Sequence, residues 1–441
     1  WDVRTGTVQM LLETYFSMIP LAFSPDSTHV VTTASTGFSA PIWDLRRDLR
    51  DAVITDVDGF AYADLAANGD AVVVQAKDNL IVRYDVRSRR ATSCPSLIEN
   101  EQASMPELTA DPYIVKVSLG LSGGALIDMR RCAVLSSFPV EDLGTKLTVL
   151  PRQHRYLITR NGGVELRNFH GRSPLRRFET EKQARHSADK LTLSADGRAL
   201  LVEGFDTKEG GNARRTSVWD LRTGVMRFAV AGMQAIWSPN GELIAVVVED
   251  PDDTPLPNRF VHVIAHDART GRQLSDFKVS LYSIQQIIFS PDSTRILSTS
   301  RDTTARVSDA RTGKQMIALP GHANHATRGA FSPTGGRIVT ADAKFNLRIW
   351  DAAYGRLLAV LTGHSARIDE VAFTSDGASI VSVAAPEYMG PPSPEHTEVL
   401  RWDVGLETRS VAEIDTLIRQ WMPDSVRESV LPRTSAAIRA R

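Results

Sequence analysis

Histidine, cysteine and glycine are the residues of this 441-residue chain whose spacing bears on chemistry. His322-Ala323-Asn324-His325 holds the one close histidine pair, a spacing that suits two ligands of a divalent metal. A protein metal centre needs at least a third ligand, and none accompanies the pair. His262 and His266 stand four apart in a β-branched run, where that spacing spans about 13 Å and cannot converge on one ion. Gly120-Leu121-Ser122-Gly123-Gly124 resembles a phosphate-cradling loop, but it lies between two strand-like runs with no helix to follow. A β-turn is the better reading. Cys94 and Cys132 are too few for a disulfide framework or a cysteine-rich metal site. They read as small core hydrophobes in a reducing compartment. No nucleophile, base and orienting acid fall into a catalytic pattern, so neither cofactor nor metal is expected.

Composition narrows the classes further. Hydrophobic residues make up 42% and charged residues 23%, which fits a folded chain rather than a disordered one. A net charge of −1 supplies no basic field for a nucleic acid. No apolar run approaches the roughly 18 residues that a spanning helix needs.

The elements that must position any site come from a repeat. Short apolar runs alternate with Ser24-Pro25-Asp26, Ser194-Ala195-Asp196-Gly197, Ser238-Pro239-Asn240-Gly241, Ser290-Pro291-Asp292, Ser332-Pro333-Thr334-Gly335 and Ser375-Asp376-Gly377. Each unit ends on Trp-Asp or a relative: Trp43-Asp44, Tyr84-Asp85, Ile127-Asp128, Arg167-Asn168, Trp219-Asp220, His266-Asp267, Ser308-Asp309, Trp350-Asp351 and Trp402-Asp403. Successive ends lie 40 to 52 residues apart, and nine units are visible. Turn pairs that tolerate positive φ join runs of strand length, which predicts a four-stranded meander per unit. One such sheet cannot bury both faces, so the units are expected to stack radially.

Trp-Asp, Ser-Pro-Asp and the Gly-His pairs Gly321-His322 and Gly363-His364, at a period near 42, resemble the WD-repeat β-propeller family over residues 1–404. The resemblance implies an all-β propeller of four-stranded antiparallel blades, with structural roles for His322, Trp350, His364 and Trp402. The family's network of a Gly-His histidine, a strand Ser or Thr, a turn Asp and the Trp has no complete set here. Lys344 stands where the turn Asp belongs in the unit of His322 and Trp350, and Ser308 replaces the Trp beside Ser300 and Asp302. The last unit stops at its third strand, and residues 7–12 read as the strand that completes it. The units then form one ring of nine, or a seven-bladed ring over about 85–404 preceded by part of another, the favoured reading. Residues 405–441 read as an amphipathic helix, opened by the capping box Ser410-Val411-Ala412-Glu413, and a basic tail.

Three insertions, Glu203–Thr216, Glu249–Phe260 and Ala385–Thr397, fall between second and third strands, which in the family emerge on the face that bears Gly-His. They make that face the candidate binding surface, with Asp206, Arg214, Arg215, Asp252, Asp253, Tyr388 and Met389 as candidate contacts. The implied function is a non-catalytic scaffold or sensor for a protein or peptide, without nucleic acid or membrane. The alternative is a propeller enzyme, a hydrolase or lyase, with a site in the central channel; the inner strands quoted for it, such as Ile287-Ile288-Phe289, are apolar. The tail segment Leu406-Glu407-Thr408-Arg409-Ser410 resembles the carboxyl ends of large bacterial regulatory proteins, in which WD repeats follow a Ser/Thr kinase or a STAND NTPase. Only nine of the 51 basic residues are lysine, a bias of GC-rich genomes. The opening Trp1-Asp2 reads as the end of a repeat, so a linked upstream domain is expected, and the near-zero charge and sparse cysteines fit a cytoplasmic setting.

Overall fold

The computed structural model describes strand segments at 19–23, 29–33, 42–44 and 50–52 and most of residues 62–404. The connecting segments 53–61, 76–79, 95–103, 110, 119–122, 139–146, 151–152, 161–162, 171–172, 179–187, 207–212, 251–259, 281–282, 323 and 385–397, and residues 405–441, are not described. The closing strand expected at 7–12 and the C-terminal helix therefore lie outside the described residues. The chain divides into two compact units, residues 1–51 with 402–441, and residues 52–401. The first contains a three-stranded sheet of Ile19–Phe23, His29–Thr33 and Ile42–Asp44.

All remaining strands form eight four-stranded antiparallel sheets. The first blade comprises Tyr62–Leu65, Ala71–Gln75, Ile81–Asp85 and Arg90–Cys94. The second runs from Ser104–Leu108 to Ala133–Phe138, the third from Leu147–Leu150 to Arg176–Phe178, and the fourth from Ala188–Leu193 to Met226–Ala231. The fifth runs from Met233–Trp237 to Gln273–Ser280, the sixth from Ile284–Phe289 to Gln315–Leu319, and the seventh from Ala326–Phe331 to Leu357–Leu361. The eighth is Ile368–Phe373, Ser379–Ala384 and Glu398–Asp403, completed by Arg50–Ala52. Eight blades replace both the ring of nine and the ring of seven beginning near residue 85. The unit before residue 50 forms its own three-stranded sheet, and its last segment supplies the outer strand of the eighth blade.

Strand position explains the hydrophobic pattern. First strands touch first strands of neighbouring blades and so lie innermost. Middle strands are covered on both faces, so Ser379–Ala384 is buried throughout and Leu243–Glu249 nearly so. Outer strands alternate: Gln315–Leu319 buries only its last residue. Apolar layers fill the joints between blades. Val72, Val74, Val82 and Val86 of the first blade pack on Val381, Val383 and Val399 of the eighth, which closes the ring.

Several blades turn on hydrogen-bonded corners. Asp309 ends a third strand, and its Oδ1 accepts from the backbone N–H groups of Arg311 and Thr312 and from the Thr312 hydroxyl. Gly313 follows at φ 72°, where a side chain would strain the backbone. Asp220 and Asp267 build the same corner with Thr223 and Thr270. The Ser-Pro-Asp turns work alike: Ser290 Oγ donates to Asp292 and accepts from Arg295 N–H. Arginines then clamp neighbours. Arg295 donates to the carbonyls of Gly335 and Ala352 in the seventh blade, and Arg337 to Gly377 in the eighth.

Cys94 and Cys132 form a disulfide, with Cα atoms 5.4 Å apart. The expectation of two core thiols is corrected. The outer strand of the first blade runs beside the last turn of the second, so residues 38 apart in sequence meet.

Candidate functional site

The His322 corner ties the sixth blade to the seventh, whereas the His364 corner is held within the eighth. His322 is buried, and its Nε2 contacts Thr340 Oγ1 at 2.7 Å. Trp350 Nε1 donates to the same hydroxyl at 2.7 Å. His322 Nδ1 lies 3.2 Å from the Thr303 carbonyl, in the second-to-third-strand turn of the sixth blade. The place of a turn carboxylate is taken by that carbonyl. Asp342 instead caps its own turn, accepting from the N–H groups of Lys344 and Asn346. Burial lowers the His322 pKa to about 4, so this corner is held by a neutral imidazole.

The corner of the eighth blade has different chemistry. His364 Nε2 lies 2.7 Å from Ser382 Oγ, and Nδ1 lies 2.9 Å from Glu398 Oε2. Glu398 also accepts from Ser365 through both backbone and hydroxyl, and these hydrogen bonds hold its pKa below the usual value although burial opposes them. Serine, histidine and carboxylate in this order match a hydrolase triad in distance. Ser382 has no exposed surface, however, so no substrate carbonyl reaches its oxygen. Trp402 is buried in the third strand of the same blade.

These contacts put the Gly-His corners and the second-to-third-strand turns on one rim, because Thr303 and Glu398 belong to such turns or their bases. The strands that flank the long insertions have their second-to-third-strand ends on that side. Arg214 and Arg215 stand exposed at the base of the first, where strands Ala199–Asp206 and Ala213–Asp220 pair out to Asp206 and Ala213. Asp252, Asp253, Tyr388 and Met389 lie outside the described residues. The base of the second insertion is fastened by groups that the sequence reading did not single out together. Asp250 accepts from Phe260 N–H, and His262 sits between Asp250 at 3.2 Å and Asp276 at 2.7 Å. The hydrogen bond from Phe260 is the main reason that the Asp250 pKa is lowered. Lys278 lies 4.4 Å from the centre of the Phe260 ring. His266, four residues from His262, is buried against the Gly271 carbonyl, so the two imidazoles do not converge. Among the described residues, no three His, Cys, Asp or Glu are placed to hold a metal.

The innermost strands carry charges that escaped the sequence reading. Glu370 of the eighth blade accepts from Leu65 N–H at 2.7 Å, and Asp64 of the first accepts from Leu108 N–H of the second at 2.5 Å. Burial raises the Glu370 pKa to about 8 and the Asp64 pKa to about 6. Apolar neighbours surround these carboxylates in sequence, and pairing across 305 residues leaves no local signal.

The family described as "WD domain, G-beta repeat" matches residues 271–309 and 313–351, parts of the fifth, sixth and seventh blades. No curated protein matches the chain in sequence. Among solved structures, the chain is similar to the Dos1 propeller, with 14% identity and a TM-score of 0.59, covering 82% of this chain and 95% of that one. It is similar to the computationally designed Ika8 protein at 18% identity and a TM-score of 0.58, covering 79% and 98% respectively. A eukaryotic initiation factor structure is also similar, at 14% identity and a TM-score of 0.58, covering 88% and 93%. At these identities the likenesses concern the fold.

Proposed function

We propose that this propeller, built with WD40 repeats, is a non-catalytic platform that binds a protein or peptide partner on the rim bearing the Gly-His corners. One observation carries the reading: Thr303 on His322 and Glu398 on His364 bring the corners to the second-to-third-strand ends of the blades, the side on which the strands flanking the three long insertions also end. WD40 propellers generally mediate protein–protein interaction, which supports the assignment. Arg214 and Arg215, with Asp206, Asp252, Asp253, Tyr388 and Met389 on the insertions, form the contact set of this proposal; His322, Trp350, His364 and Trp402 hold the frame beneath it. A pair of carboxyl groups with raised pKa values would suit an acid–base enzyme. The engagement of both with backbone N–H groups of other blades supports a structural role instead.

The proposal extends to a module of a larger bacterial signalling protein. The tail segment 406–410 and the excess of arginine over lysine support that context. A cytoplasmic location is part of the same proposal, and the Cys94–Cys132 disulfide is in tension with it. Alkylation of thiols in acid-quenched cells decides: free thiols support a reducing compartment, and a blocked pair contradicts it.

The binding reading is tested by affinity capture with the full chain. Arg214→Glu with Arg215→Glu, or Tyr388→Ala with Met389→Ala, should abolish capture of a partner held by the wild type. Arg222→Glu, at the exposed Asp220 corner, should leave it intact. A partner lost only with Arg222→Glu would contradict the assigned rim.

A further inference from the structure

The disulfide between the first and second blades stands at a place that glycine holds in other corners. Cys132 comes four residues after the corner Asp128, as Gly271 follows Asp267 and Gly313 follows Asp309. A Cβ on Gly271 would lie 2.5 Å from Phe228 Cγ, and one on Gly313 2.8 Å from Phe277 Cδ1, each on the outer strand of the preceding blade. A side chain at this place is therefore aimed at that strand. Cys132 meets Cys94 there, on the outer strand of the first blade. Its backbone is left-handed, at φ 47°, a conformation that is costly for most residues other than glycine.

The two cysteines are not equivalent. Cys94 has no exposed surface and lies in an apolar cluster with Val73, Ile81, Val115 and Ile127, whereas Cys132 is half-buried in its corner. Exchange begins when a thiolate reaches one sulfur of the bond, and Cys132 is the cysteine that solvent reaches. Both thiols that result have acceptors across the joint. Cys94 Sγ lies 3.8 Å from the Met129 carbonyl, and Cys132 Sγ lies 3.6 Å from the Ser93 carbonyl. Nor does the bond alone hold the blades together. The apolar cluster spans the joint, Arg83 donates to the Pro112 carbonyl at 2.6 Å, and its guanidinium lies 4.0 Å from the centre of the Tyr113 ring.

We propose that Cys132 is a site of reversible exchange with a low-molecular-weight thiol, and that this exchange switches the outer edge of the joint between a fixed and a released state. A thiolate attacks Cys132 Sγ; the S–S bond breaks, and its electron pair leaves on Cys94 Sγ, which takes up a proton. A second thiolate attacks the small thiol's sulfur in the mixed disulfide. Cys132 leaves as a thiolate, and the two small thiols depart joined by the new S–S bond. Two electrons thus pass to the protein. With the bond gone, nothing covalent holds Cys132 at positive φ, and the corner 129–132 relaxes while the apolar cluster keeps the two blades in contact.

Glutathione is the probe thiol, applied to the full chain without denaturant. Hydrogen exchange should show the segment 129–135 losing protection in reduced glutathione and regaining it in oxidised glutathione. The segments 114–118 and 124–127, within the second blade, should keep their protection in both. The site of attack is read by peptide mass spectrometry after treatment of single-cysteine variants with oxidised glutathione. Cys94→Ala should acquire an adduct on Cys132, and Cys132→Ala should acquire none on Cys94. If a variant does not fold, the wild-type exchange pattern still decides. Equal protection of 129–135 in both redox states, reduction that occurs only under denaturing conditions, or an adduct on Cys94 of folded Cys132→Ala would overturn the proposal.

Discussion

Thr340 shows how much a single hydroxyl can hold. It accepts from Trp350 Nε1 and meets His322 Nε2, both at 2.7 Å and out of water. Thr340→Val keeps the shape and strands two polar groups, so it should cost about 3 kcal/mol by chemical denaturation. Thr340→Ser should cost under about 1 kcal/mol, since the hydroxyl remains. His322 adds a pH dependence of known sign. Its pKa lies near 4 when folded and near 6.5 when unfolded, so between these values the unfolded chain binds a proton that the folded chain refuses. Lowering pH through this interval should remove up to roughly 3 kcal/mol of stability. The difference between wild type and His322→Gln isolates that contribution, and parallel pH profiles would contradict it. The histidine and the tryptophan were legible from the Gly-His and Trp-Asp phrases. Glu398 was not, because it reaches His364 from the far side of an insertion, 34 residues away.

Corners and joints set the next scale. Gly69 and Gly377 sit in matching turns at φ 68° and 69°, so replacing either by alanine strains the backbone alike. Their surroundings differ: a Cβ on Gly69 would lie 2.5 Å from the Phe373 carbonyl oxygen of the eighth blade, whereas one on Gly377 meets nothing nearer than 3.5 Å. Gly69→Ala should therefore exceed Gly377→Ala by about 1–3 kcal/mol of lost stability, the cost of overpacking. Equal losses would mean that the closing joint is not packed this way. The disulfide is a second clasp at this scale. Closing a 38-residue loop, it should contribute about 4 kcal/mol, which Cys132→Ser or a reductant would remove. Four-stranded units were legible because strand length, turn pairs and burial on both faces leave marks in sequence. The disulfide was not, since nothing local in the sequence sets the outer strand of one blade beside the last turn of the next.

The number of blades belongs to the whole ring. Repeat ends were legible, but the partition of the first repeat was not. Residues 19–44 pair among themselves, while Arg50–Ala52 completes the eighth blade, and no phrase in the sequence marks the change of partner. The outcome is eight blades with the first against the eighth. Their turns meet where Ser375 N–H donates to Asp70 Oδ1 at 3.0 Å, and Arg87 lies 3.6 Å from Asp376. A seven-bladed ring starting near residue 85 would leave residue 70 outside it, and a nine-bladed ring would place an additional blade between residues 70 and 375. The measurement that separates these is cross-linking of the full chain carrying Asp70→Cys and Ser375→Cys with a short bis-maleimide. An intramolecular link between residues 70 and 375, identified by peptide mass spectrometry, is the result expected of the eight-bladed ring. Both cysteines labelled singly, with no link between them in the folded protein, would contradict it.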